Sequence, residues 1–153
     1  MTTTARYLAD TSAIVQLPRP EVAAVLGPLL IAGQLATCGV VDLKLHALVR
    51  SRSDLVHVRT IRAASFQWVA TTDEDLLRAI QVHCELTELE QHHVGWPELV
   101  VAAVAERHGL SVLHRNGDFE RIAKVTGQKV EEVALALEEA RECLDAHAAD
   151  VRP

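Results

Sequence analysis

Long apolar runs, aromatic side chains and paired cysteines are all scarce in this 153-residue chain. No apolar stretch approaches the ~20 residues needed to span a bilayer, so membrane insertion is excluded. Residues 1–6, Met-Thr-Thr-Thr-Ala-Arg, lack the basic, apolar and small-residue succession of a secretory leader, and a cytoplasmic location is expected. Cys38, Cys84 and Cys143 are odd in number and show no C-x-x-C spacing. They read as small core residues, not as a disulfide framework or zinc knuckle. Seven Gly and five Pro are too few for a collagenous or low-complexity chain. With aromatics at 3%, Trp68 and Trp96 read as core or interface packing, base stacking being the alternative.

What is present is a 49% apolar, 24% charged composition. At this length it supports one α/β or all-α domain that buries about 68–70% of its unfolded surface. The net charge of −6 argues against a general nucleic-acid coat, but the charge is uneven. Up to Val69 there are seven Lys or Arg against four acids, a net of +3, and the remainder carries −9. A polyanion can therefore still meet the first half.

Arg6 to Asp10 reads as a short strand ending on a carboxylate, followed by Thr11-Ser12 and a helical stretch. Val22, Val25, Leu26, Leu29 and Leu30 mark an amphipathic helix between Pro18 and Gly33, interrupted at Gly27-Pro28. Residues 34–38 form a second candidate strand. Val41, Leu45, Leu48 and Val49 make a helical stripe, with Asp42 near the helix start and Lys44 pointing away from the stripe. A basic helical region runs from Arg50 to Trp68, and Phe66 to Ala70 leads into an acidic helix cap. The helix over 75–89 is expected to carry Leu76, Ile80, His83 and Leu86 or Thr87 on one face. Trp96-Pro97-Glu98 opens the most apolar helix, Pro97 suiting its first turn and Gly109 its stop. Leu110 to His114 reads as a buried strand, Glu120 to Val125 as a short helix, and Lys129 to Ala148 as a closing helix along Val130, Val133, Leu137, Ala140 and Leu144. That last face packs on the sheet or forms a dimer contact.

Alternation of strands with helix-length connectors predicts a central parallel sheet flanked by helices in three α/β/α layers, with binding groups at the strands' carboxyl ends. This topology brings Asp10, Glu98 and Asp118 to one sheet edge. Clustered carboxylates are costly unless a cation sits between them. Mg²⁺ or Mn²⁺ suits oxygen donors, activates water and steadies a phosphate leaving oxygen, so phosphodiester hydrolysis is the natural chemistry. The eight histidines show no H-E-x-x-H, and His92-His93 reads as a polar loop.

Four segments together resemble the PIN-domain family, and within it the VapC-type toxins: residues 7–13 (YLADTSA), 37–43 (TCGVVDL), 97–105 (PELVVAAVA) and 117–123 (GDFERIA). The resemblance covers roughly residues 5–135, within a single domain taken as 1–153. It implies a metal-dependent endoribonuclease cleaving single-stranded RNA, often a homodimer, inhibited by a small cognate antitoxin. On that pattern Asp10, Glu98 and Asp118 bind one Mg²⁺ or Mn²⁺ and are catalytic together with Ser12, while Thr11, Lys44, Arg50 and Asn116 face substrate. Thr11 and Ser12 hydrogen-bond a metal-bound water or phosphate, or simply satisfy the helix start. Arg50, Arg52, Arg59 and Arg62 hold RNA or an acidic antitoxin segment, or form a solvated face.

Three positions depart from the family's acids. Glu98 stands where Asp is usual, Asn116 replaces the first acid of Asp-x-Asp-Phe, and Lys44 occupies the place of the usual glutamate. An ammonium about 4 Å from a carboxylate is worth ~4 kcal/mol at an effective dielectric of about 20, before desolvation. Lys44 can thus replace part of a metal's electrostatic role while repelling the cation. Asp42 lies two residues away on the same helix and faces elsewhere. The alternative function is a catalytically degenerate PIN domain that binds RNA or protein.

Overall fold

The computed structural model describes residues 4–91 and 93–133. Its elements run β1 (Tyr7–Ala9), α1 (Thr11–Ile14), α2 (Pro20–Ile31), β2 (Leu35–Thr37), α3 (Gly39–Leu48), α4 (Arg52–Ser65), β3 (Gln67–Trp68), α5 (Asp73–Glu88), α6 (Trp96–His108), β4 (Ser111–His114), α7 (Asp118–Thr126) and β5 (Val130–Glu132). The five strands are all parallel in the order β3-β2-β1-β4-β5. The chain lays β2 and β3 on one side of β1 and then crosses to place β4 and β5 on the other. The order therefore reverses between β1 and β4, the point where parallel α/β sheets bind ligands beyond their carboxyl ends.

Why the sheet is covered on both faces is visible residue by residue. Leu8, Ala36 and Val112 join one apolar cluster with Val41, Leu86, Val101, Val104 and Phe119. Their strand neighbours Ala9, Leu35 and Leu113 join a second with Ala13, Val22, Leu26 and Phe66. Period-two alternation thus sends successive side chains to opposite helix layers, as expected of strands buried on both sides. Each fully buried Leu or Val contributes about 1.5–3 kcal/mol relative to exposure. Among the described residues no helix is long and apolar enough to cross a membrane.

Several details differ from the sequence reading. The helix through Gly27-Pro28 is not interrupted, since α2 contains Pro28 and forfeits one backbone hydrogen bond there. The inward face of α5 is Asp75, Ala79, Val82 and Leu86, whereas Leu76 and Ile80 are exposed. The reason is Asp75, an acid drawn inside by its cap and by Arg107, which rotates the face relative to a purely apolar stripe. Gln67–Trp68 is an edge strand, not the end of the helical region, since α4 stops at Ser65. Val130–Glu132 is a strand beside β4, not the start of a helix, because its backbone pairs with Val112, Leu113 and His114. Beyond Val133 the expected closing helix lies outside the described residues.

Cys38 is buried, and burial pushes its thiol pKa up, in keeping with a core residue. Cys84 is exposed, contrary to expectation, because it sits on the outer side of α5. Cys143 and His92 lie outside the described residues. Trp68 and Trp96 are exposed on this chain, Trp68 beneath the Arg62 guanidinium at 5.1 Å.

Candidate active site

Asp10 follows β1 directly and caps α1, an arrangement that needs an extended residue with an acceptor side chain. Its Oδ2 accepts from the Ser12 backbone N–H at 2.9 Å and from the Ser12 hydroxyl at 2.6 Å. Ser12 Oγ in turn accepts from the Arg115 backbone N–H at 2.9 Å, tying α1 to the segment after β4. The second oxygen of this fully buried carboxylate, Oδ1, receives the Lys44 ammonium at 3.3 Å.

The same ammonium donates to Glu98 Oε1 at 2.5 Å. Glu98 comes from the first turn of α6, where a carboxylate is favoured by the helix dipole. Asn116 Nδ2 donates to the same Oε1 at 3.3 Å. Gly95, which caps α6, gives the carboxylate room: a Cβ at that position would overlap Glu98 Oε2. Two acids, one from the end of β1 and one from the first turn of α6, thus converge on one point cation. Burial works against the charge on Lys44, but its hydrogen bond to Glu98 and the charges of Asp10 and Glu98 outweigh burial and raise its pKa.

Asp118 lies beside this group without joining it. Its Oδ1 pairs with Arg121 at 3.0 Å, and its Oδ2 accepts from the Gly95 backbone N–H at 3.2 Å. Its own backbone N–H donates to Asn116 Oδ1 at 3.1 Å, so Asn116 joins the start of α7 to Glu98. Among the described residues no three acidic, His or Cys groups are close enough together to hold a metal ion.

Asp10, Ser12, Lys44, Glu98 and Asn116 therefore form one network, whereas Thr11 and Arg50 stand apart. Thr11 is buried and its hydroxyl donates to the Val41 carbonyl at 3.4 Å. Arg50 is exposed between α3 and α4, beside an apolar groove that includes Ile14, Leu45 and Ile61. Asp42 cannot stand in for an acid at position 44, since its Oδ2 binds Arg62 at 2.9 Å and its Oδ1 accepts from Thr37 at 3.4 Å. Sequence reasoning missed Gly95 and Arg121, which fix Glu98 and Asp118. A glycine just before a helix whose first turn holds an acid was the available signal for Gly95.

A five-stranded parallel sheet with paired acids at its switch point is the arrangement of a PIN domain, and the model of that family matches residues 7–125. The chain belongs to the PIN-domain family. Within it the chain is a VapC-type member. Ribonuclease VapC21 of Mycobacterium tuberculosis (strain H37Rv) is 43% identical over 129 residues, covering 84% of this chain and 94% of that protein. Ribonuclease VapC51 of the same strain is 35% identical over 123 residues, covering 80% and 89%. Among solved structures, DNA-bound VapBC from Salmonella typhimurium matches with a TM-score of 0.70 at 17% identity, covering 85% of this chain and 99% of that one. VapBC2 from Rickettsia felis, bound to a promoter DNA fragment, matches at 0.68 with 16% identity, covering 82% and 97%. At such identities these structures speak for the fold alone.

Proposed function

We propose that this chain is a VapC-type toxin, an endoribonuclease that cleaves phosphodiesters of single-stranded RNA and is held in check by a cognate antitoxin. The observation that carries it is the convergence of Asp10 and Glu98 on one cation at the sheet's switch point. The strong likeness to proteins named as VapC ribonucleases supports the same assignment. A second copy of the chain belongs to the same proposal.

The donors suit a divalent ion in kind, and two of them, Asp10 and Glu98, meet at one point. Asp10 Oδ1 and Glu98 Oε1 are hard oxygens that already share one cation, the Lys44 ammonium standing in its place. Asp10 and Glu98 would hold Mg²⁺ or Mn²⁺, and Asp118 would join them only by turning from Gly95 and Arg121. When bound, such an ion supplies an activated water and neutralises phosphate charge. The chain's own groups set the stage. Ser12 fixes the Asp10 carboxylate by two hydrogen bonds, and Asn116 and Gly95 fix that of Glu98. Lys44 adds a positive charge where a phosphate would approach.

A second assignment, a PIN domain that binds RNA or protein without cutting, is favoured by one specific observation: Lys44 fills the cation position. Purified protein incubated with a mixed single-stranded RNA in Mg²⁺, Mn²⁺ or EDTA, beside an Asp10→Ala control, separates the two. Metal-dependent cleavage lost in the control supports the ribonuclease. RNA retained but uncut by the folded protein supports the binding module.

A further inference from the structure

We infer, building on the assignment of Asp10 and Glu98 as metal donors, that Lys44 is a resident tethered cation of this site, so that its ammonium and a divalent ion exclude one another. Nζ lies 3.3 Å from Asp10 Oδ1 and 2.5 Å from Glu98 Oε1, the volume a shared metal would need. Lys44 is delivered there by α3, whose Val41 and Leu45 are anchored in the core. A tether of this kind makes the ammonium an intramolecular competitor at high effective concentration. Among the described residues the nearby acids do not offset the exchange, because Asp42 is held by Arg62 and Thr37 and Asp118 by Arg121 and Gly95.

The arrangement is also reversible. The Lys44 side chain is 27% exposed, so its four-carbon stem can carry the ammonium out to water when a stronger cation arrives. In the absence of metal the two carboxylates keep a counter-ion, which spares them the cost of facing each other unpaired. Metal is thereby converted from a standing requirement of the site into a competitor for it.

Calorimetric titration with Mn²⁺, checked by the Mn²⁺ electron paramagnetic resonance signal, tests this on the full chain. Lys44→Met should bind Mn²⁺ at least about tenfold more tightly than the parent, a conservative figure for removing a positive charge a few ångströms from the ion. Lys44→Glu should bind more tightly still, and adding Asp10→Asn should cancel the gain. Lys44→Gln carries the same expectation as Lys44→Met should the latter not fold. Equal Mn²⁺ affinities in the parent and a folded charge-removing variant would overturn the inference. RNA cleavage is scored separately. Tighter Mn²⁺ binding with no cleavage by any variant upholds the role of Lys44 and removes the ribonuclease. Equal affinities alongside metal-dependent cleavage do the reverse.

Discussion

Buried acids meet cations in different ways at two loci of this molecule. Asp75, at the start of α5, is held in a closed set: Arg107 grips it at 2.7 and 2.9 Å, and the Thr72 backbone N–H and hydroxyl donate to it at 2.8 and 3.1 Å. Arg107 also donates to the Ala70 carbonyl at 2.7 Å. One acid thus has one guanidinium whose planar fork matches it. At the other locus two acids share one ammonium, a point charge without a fork, and the three groups together keep a formal charge of −1. A satisfied pair fixes structure, whereas an under-neutralised pair leaves a place where cations exchange.

The largest effect on stability should come from breaking the closed pair. Arg107→Ala leaves Asp75 buried without its cation, and urea unfolding should show a loss of about 2–3 kcal/mol, below the usual cost of breaking a buried pair because Arg107 is 31% exposed. Lys44→Met in EDTA should cost less, about 1–2 kcal/mol, since the ammonium is flexible and partly solvated. Mn²⁺ should recover that loss for Lys44→Met and not for Arg107→Ala. Recovery in both would break the contrast between a structural and an exchangeable cation.

The acid limb of stability sharpens it further. Burial alone would raise the Asp75 pKa, but the hydrogen bonds from Arg107 and Thr72 and the Arg107 charge prevail and lower it from 3.8. Its folded pKa being depressed, Asp75 adds stability that is fully present above the unfolded carboxylate value and is lost as pH falls through the folded one. Asp75→Asn should therefore flatten the fall in thermal midpoint below about pH 4, the ordinary range of an aspartate. Lys44 is shifted the opposite way by its contacts with Glu98 and Asp10, so its contribution is present while those carboxylates are ionised and is lost at the alkaline end as pH rises through its raised pKa.

Much of this contrast can be read in the sequence, and the unread part is long-range. β1, β2 and β4 are legible because strands buried on both faces carry apolar residues in succession. β3 has only two residues, and β5, as long as β1 and β2, is Val-Glu-Glu at the sheet edge and shows no apolar succession, so neither separates from loop or helix. Asp10, Lys44 and Glu98 lie in segments that the sequence singles out, and the fold brings their side chains into contact. The turning aside of Asp118 is not legible, for it depends on Gly95, 23 residues distant, and on Arg121. The inward face of α5 is missed for a similar reason. Asp75 counts as polar until its partner Arg107, 32 residues on, is known to reach it.

The smallest expected effect isolates the geometry of the exchangeable site. Gly95 has φ −64° and ψ 140°, which any residue adopts, so Gly95→Ala brings no backbone strain there. What it does bring is a methyl group where Glu98 Oε2 now lies, and the carboxylate must move off the axis it shares with Asp10. In a Lys44→Met background this should weaken Mn²⁺ binding by a few-fold, roughly the effect of disturbing a group that orients a metal ligand and less than losing the ligand itself. Gly117→Ala is the matched control, since a Cβ there meets nothing within 4 Å. An equal loss from both alanines would show that the position of Glu98 does not set cation affinity. A loss confined to Gly95→Ala would place the difference between the two loci in the convergence of carboxylates, not merely in their number.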